Sequence, residues 1–172
     1  MPAGSRLRGP LLALALAGCA AADSRALESA LSAQPSATAV LQTRCTEPIR
    51  AVRLRDTPPP VPARIADADG FRHVRLMCGE AVYSEAFNWY DRSRLLAAMN
   101  HELDTTDRPF GAVAAPLGFA RERLASFRGR VAPCPAGTVL SQRGLLRLPD
   151  GSLLALVIEC YTRAALTSAR AD

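Results

Sequence analysis

The spacing of polar and apolar positions changes several times along the chain, and each change marks an element. From Arg25 to Gln34, Leu27, Ala30 and Leu31 share one side of a 3.6-residue repeat, which predicts a helix stopped by Pro35. Ser36 then offers an N-cap for a second short helix through about Arg44, with Val40 and Leu41 turned inward. Between Glu47 and Arg55, Ile49, Ala51, a slipped Val52 and Leu54 alternate with Arg50, Arg53 and Arg55, as in a strand whose arginines face water. Pro58, Pro59, Pro60 and Pro62 exclude helix and strand interior and predict a stiff surface connection.

A period of two returns at Phe71–Cys78, with Val74, Leu76 and Cys78 on one face and His73, Arg75 and Met77 on the other. Gly79-Glu80 turns this strand into a second, Ala81–Tyr90, where Tyr83, Glu85, Phe87 and Trp89 oppose Val82, Ser84, Ala86 and Asn88, and both faces read as covered. Asp91 caps an expected helix from about Arg92 to Leu103, its inward stripe made by Leu95, Leu96, Met99 and Leu103, with His101 among the solvated positions. Thr106-Asp107-Arg108-Pro109-Phe110-Gly111 is either an ordinary connection or a turn that aims backbone N–H groups at an anion. A strand from Leu117 to about Phe127 exposes Arg121 and Arg123, and a loop with Pro133, Cys134, Pro135 and Gly137 leads to a last hairpin, Val139–Tyr161, turned at Pro149-Asp150-Gly151-Ser152. Residues 164–172 read as a polar tail. With no repeated β-α-β crossover, this order predicts an α+β fold: an antiparallel sheet with helices packed around an enclosed ligand pocket.

Within the last strand one residue breaks the pattern. Glu159 stands among Leu153, Leu154, Leu156, Val157 and Ile158, so its carboxylate must find a cation, hold its proton, face a polar cavity, or escape to solvent at the strand end. The 172 residues suit one domain with a real core, and their formal charge of +5, without a basic run interleaved with aromatics, gives no case for nucleic acid. Two histidines with no ligand-like cysteine spacing give no case for a metal. Beyond Cys19, the four cysteines Cys45, Cys78, Cys134 and Cys160 allow two disulfides in three connectivities, or reduced buried thiols. A bond between Cys78 and Cys160 is the pairing that neighbouring strands would permit.

The first residues are different in kind. Arg6 and Arg8, the short apolar run Leu11–Leu16 and the tetrad Leu16-Ala17-Gly18-Cys19 resemble a bacterial lipoprotein signal. That resemblance implies cleavage after residue 18, acylation of Cys19, and a domain held at a membrane surface in the cell envelope, on the periplasmic side. Loss of residues 1–18 removes two arginines and leaves a formal charge of +3. The expected organisation is a signal peptide at 1–18, an anchor, tether and first helix at 19–35, a domain at 36–163 and the tail at 164–172.

Three stretches resemble the chorismate pyruvate-lyase family in order and approximate spacing: Val74-Arg75-Leu76-Met77-Cys78-Gly79, the turn Thr106–Gly111, and Arg143-Gly144-Leu145-Leu146-Arg147-Leu148 leading to Val157-Ile158-Glu159. The similarity covers roughly residues 36–163. It implies an antiparallel sheet around an enclosed small-molecule site, kinship to ligand-binding domains of bacterial regulators, and elimination of pyruvate from chorismate without metal or cofactor. On that resemblance Arg75 grips a carboxylate, Phe110 and Gly111 assist it through backbone N–H groups, and Glu159 meets a hydroxyl at the far end of the ring, with Glu159 and Arg75 as catalytic pair. Such a guanidinium gives a planar bidentate grip, and a desolvated glutamate can take a proton. The chain departs from the family where a Gly-Arg pair is expected, reading Ser84-Glu85-Ala86-Phe87 instead, which exchanges a cation for Glu85. Two functions follow as expectations: a lyase acting on chorismate or a related enol-ether acid, or a monomeric envelope lipoprotein that binds a small aromatic carboxylic acid without turnover.

Overall fold

The computed structural model describes residues 11–54, 62–65 and 67–167; the first ten residues, the side chain of Cys19 and Pro58–Pro60 lie outside them. Among the described residues the two hairpins read from the alternation are both present, and each gains a third strand. β1 (Arg50–Leu54), β2 (Gly70–Cys78) and β3 (Ala81–Tyr90) form one antiparallel meander, and β4 (Ala120–Arg128), β5 (Leu140–Arg147) and β6 (Leu153–Tyr161) form another. They join through β3 and β6, giving one sheet in the order β1-β2-β3-β6-β5-β4, with every neighbour antiparallel. The central strands are the most apolar, and Tyr83 through Tyr90 and Leu154 through Tyr161 are buried without interruption.

α1 (Leu11–Ala33), α2 (Ala37–Gln42), α3 (Ala97–Thr105) and α4 (Phe110–Ala114) cover one face. Leu27, Leu31, Val40 and Leu41 pack on Val74, Leu76, Ala86 and Tyr161, while Met99, Leu103, Phe110 and Val113 pack on Tyr90, Leu146, Ala155 and Val157. Among the described residues no α-helix lies on the other face. Phe87, Trp89, Leu145, Leu156 and Ile158 are covered there by Ile65 and Cys134 from two connections, so the fold is α+β with a second, loop-covered core.

Local chemistry sets the element ends. The Ser36 hydroxyl caps α2, accepting from the Ala39 N–H at 3.4 Å. Asp91 accepts from the Ser93 N–H at 2.9 Å, but the chain then makes one 3-10 turn, Arg92–Arg94, and Leu95 and Leu96 turn extended before α3 begins. The expected continuous helix is therefore two pieces, and Leu96, expected inside, is 62% exposed. A bulge opposite Leu76 and Met77 leaves Tyr83 between paired positions and sends it to the helix side, where its hydroxyl donates to the Arg44 carbonyl at 3.0 Å.

Three other expectations are corrected. Ala20–Ser24 is no tether but part of α1, and Ser24 is buried. The tail does not begin at Ala164: a 3-10 turn, Arg163–Leu166, buries Ala165 and Leu166 against α1 and α2. Cys78 does not meet Cys160. The disulfides are Cys45–Cys78, tying the turn after α2 to the end of β2, and Cys134–Cys160, tying the loop before β5 to β6 on the opposite face.

Candidate functional site

Antiparallel register places Arg53, Val74, Ala86, Glu159, Gln142 and Ser126 in one row across the helix-covered face. Glu159 is buried in the middle of that row. Its partner is Arg121, whose guanidinium donates to Glu159 Oε2 and, at 3.2 Å, to Gln142 Oε1. The Tyr161 hydroxyl donates to the same carboxylate oxygen at 2.8 Å. Arg121 was expected in solvent, yet its side chain is 5% exposed under the end of α1.

Gly144 makes this possible. A Cβ there would sit 3.1 Å from Arg121 Nε and 3.3 Å from the Glu122 carbonyl oxygen, so the arginine crosses β5 over a residue with no side chain. The electrostatics are mutual. Burial opposes the Arg121 charge, but the Glu159 carboxylate more than offsets it and raises the guanidinium above its ordinary value. Burial, reinforced by Glu159, pushes the Tyr161 phenol well above its usual range.

Glu159 also forms part of the floor of a cleft between the sheet and the helices, with Val74, Ala86, Asn88 and Val157. Its rim is the start of α2 and the Pro109-Phe110-Gly111 segment, and the cleft is narrow, with a cavity of about 30 Å³ between these walls. Phe110 and Gly111 line the cleft as the first residues of α4 and not as an open turn. A Cβ on Gly111 would meet Ser36 Oγ at 2.9 Å, so the two rims touch closely there. A second cleft, lined by Leu31, Ser32, Gln34, Arg121, Arg123 and Gln142, flanks the same ion pair from the α1 side.

Arg75 is not in this site. It pairs across β3 with Glu85, which pairs with Cys160, so Arg75 lies on the loop-covered face and Glu159 on the helix-covered one. There Glu85 accepts from Arg75 Nε at 3.0 Å and contacts His73 Nε2 at 2.8 Å, while the His73 ring stacks on Phe87. Glu85, read from sequence as a lost cation near the ligand, is the centre of this separate cluster, and Arg75 and Glu159, expected as a pair, lie on opposite faces of the sheet.

Sequence reasoning missed the arginine three residues earlier. Arg72 is opposite in parity to Arg75 and shares the helix face; its cross-strand partner Asn88 lines the first cleft. It is 1% exposed, donates to the Arg108 carbonyl at 3.1 Å, and has no ion pair among the described residues. Its Nε is buried with no hydrogen-bond partner. Burial, with repulsion from Arg53, lowers its affinity for its proton. A further cleft, lined by Arg53, Arg72 and the segment from Leu103 to Asp107, lies on its outer side. The signal for Arg72 in the sequence was its parity on β2, legible only once the register to Glu159 is known.

No protein-family model matches the chain. It is 36% identical over 115 residues to the protein of Sinorhizobium fredii named uncharacterized protein y4mC, over 56% of this chain and 48% of that protein. The chain therefore spans about half the length of the curated relative it matches. Among solved structures it is similar to the ligand-binding domain of a protein described as a GntR-family transcriptional regulator from Bordetella bronchiseptica. That match has 12% identity and a TM-score of 0.46, over 67% of this chain and 83% of the other.

Proposed function

We propose that this is a lipid-anchored envelope protein that binds a small organic acid, aromatic in the reading the lyase resemblance suggests, between its sheet and helices without turning it over. The observation that carries the reading is Arg72, a buried guanidinium with an orphaned Nε and no ion pair among the described residues, on the same sheet face as Glu159. A buried cation is costly unless something neutralises it, and a carboxylate does so with two parallel hydrogen bonds. From Arg72 on β2 to Glu159 on β6 is two strands and two residues, about 12 Å between Cα atoms; Glu159 lines the first cleft and Arg72 the one beside Leu103–Asp107, so a guest held by both would reach from one cleft to the other past Asn88. Asn88 and the apolar Val74, Ala86 and Val157 would lie under its body.

Binding is favoured over elimination because Glu159 is already committed. Arg121, itself steadied by Gln142, and Tyr161 both donate to one of its carboxylate oxygens, which suits a fixed hydrogen-bond acceptor better than a mobile proton carrier. Two disulfides support a compartment outside the cytoplasm, in line with the Leu16-Ala17-Gly18-Cys19 tetrad, and chorismate, in the cytoplasm, would rarely reach it.

Calorimetric titration of the full chain in detergent with benzoate, 4-hydroxybenzoate and chorismate tests the reading. Heat is expected from at least one acid and none from Arg72→Met, which should be as stable as the parent or more so, since it removes a buried unpaired charge. No heat from any acid with an intact fold, or equal heat from the variant, sinks it. Pyruvate formed from chorismate above the uncatalysed rate, and lost in Glu159→Gln, would instead establish the lyase.

A further inference from the structure

The cations of this chain are all arginines, and they are not partnered evenly. Around the β6 N-terminal end of the sheet and α3, Arg92 pairs with Asp104, Arg94 with Asp91, Arg108 with Glu102 and Arg147 with Glu122. At the other end, where β4 and β6 finish and β5 begins, Arg128, Arg130 and Arg163 are exposed and have no ion pair among the described residues. Arg130 also donates through Nε to the Cys134 carbonyl at 2.7 Å, and Phe127, 46% exposed on the β4 edge, is opposite in parity to Arg128 and faces the loop-covered side. The acidic residue of α1 shown beside this end of β4 is Glu28, paired with Arg123, and Glu47 and Glu80 lie further along the same end, by the β2–β3 turn.

The course of α1 leads to this end. Leu31, Ser32 and Gln34 lie beside Arg121 and Arg123, whereas Glu28 accepts from the Ser126 hydroxyl at 2.5 Å, so α1 runs opposite to β4. Continued backwards, Cys19 is nine residues before Glu28, about 14 Å along the helix, while Arg128 and Arg130 are about 7 and 13 Å beyond Ser126 along an extended chain. The helical path leaves no slack between Cys19 and the body: Ser24 is already buried.

We propose that this end of the sheet, with Arg128, Arg130 and Arg163, rests on anionic phospholipid headgroups, with Phe127 at its β4 edge and Cys19 delivered towards the same end. Arginine suits phosphate through its fork of donors, and an exposed aromatic ring suits the interface between headgroup and acyl chain. The inference rests on the anchored reading for its orientation, but its test does not. The full chain carrying Cys19→Ser, which cannot be acylated, is partitioned against vesicles of phosphatidylglycerol with phosphatidylcholine, and of phosphatidylcholine alone. Each arginine near an anionic surface is worth about fivefold in partition, so Arg128→Gln/Arg130→Gln/Arg163→Gln should bind the anionic vesicles about a hundredfold less tightly at low salt. Both chains should bind neutral vesicles equally, because the apolar leader is common to both. Equal binding of the two to anionic vesicles overturns the surface. The mass of the wild-type chain expressed with its signal reports separately on acylation of Cys19, so loss of the anchor and loss of the surface are distinct results.

Discussion

Arg121→Met removes the charge that answers Glu159 while keeping most of the side chain's bulk over Gly144. Both members of the pair are buried, with side-chain exposures of 5% and 10%, so solvent screening does little to soften the loss. Two unit charges 4 Å apart attract by about 4 kcal/mol at an effective permittivity of about 20. Desolvation takes back much of that gain when the pair forms, but a single buried charge left behind costs about 3–5 kcal/mol. The Tyr161 hydroxyl remains as a donor, which places the expected loss near the lower limit, about 3 kcal/mol, or a fall in Tm of about 6–12 °C for a chain of this length. Urea unfolding followed by circular dichroism measures it. Arg121→Met/Glu159→Gln should recover at least half, because a neutral amide has no charge to strand and still accepts from Tyr161. A loss below about 1 kcal/mol, as for exposed pairs, or a double variant no more stable than the single, would refute the assignment of this pair as the answer to Glu159.

Gly144→Ala should act through the same contact, costing about 1–3 kcal/mol by displacing Arg121, and the loss should shrink when Arg121 is already methionine; a full loss in both backgrounds places the strain in the Glu122 backbone instead. Opening Cys45–Cys78 or Cys134–Cys160 by paired serine substitutions should cost about 3.7 and 3.5 kcal/mol from loop closure over 33 and 26 residues, read as shifts in urea midpoint, and non-reducing peptide mapping should return these two bonds. Tyr161, whose phenol is raised in the folded state by burial and Glu159, contributes stability that is whole below about pH 10 and lost as pH rises towards its folded value, because the unfolded chain gives up its proton first. Tyr161→Phe should therefore flatten the fall in Tm between about pH 9 and 11, one unit either side of the free phenol, leaving the part due to Tyr90, which burial also raises; an unchanged slope counts against the buried phenol.

The hairpins were legible because alternation survives where one face is plainly drier than the other, as in Phe71–Cys78 against Ala81–Tyr90. What alternation does not carry is which face of one strand meets which face of another. His73, Arg75 and Met77 were correctly read as one face and Glu159 as a misfit, but only the chain of pairings Val74–Ala86–Glu159 shows that Arg75 points away from it. Strand β4, reading Ala-Arg-Glu-Arg-Leu-Ala-Ser-Phe-Arg, has no apolar face, and a bulge at Leu124 breaks what parity it has. A buried arginine there has no local signature; the nearer clue was Gly144, a glycine inside a strand, which marks a close approach by something. Pairing among the four cysteines was equally invisible, since Cys45 and Cys134 lie outside strands and their positions follow from tertiary packing.

The two meanders touch edge to edge along β3 and β6, and the cleft floor straddles that seam, with Val74, Ala86 and Asn88 from the first half and Val157 and Glu159 from the second. Any occupant would act as a stitch between halves that otherwise share one ladder and the helices above it. Binding should then appear as thermal protection of the whole molecule, about 2.7 kcal/mol at a hundredfold excess over Kd. A melting screen across small acids tests the proposed binding without a chemical reaction to follow.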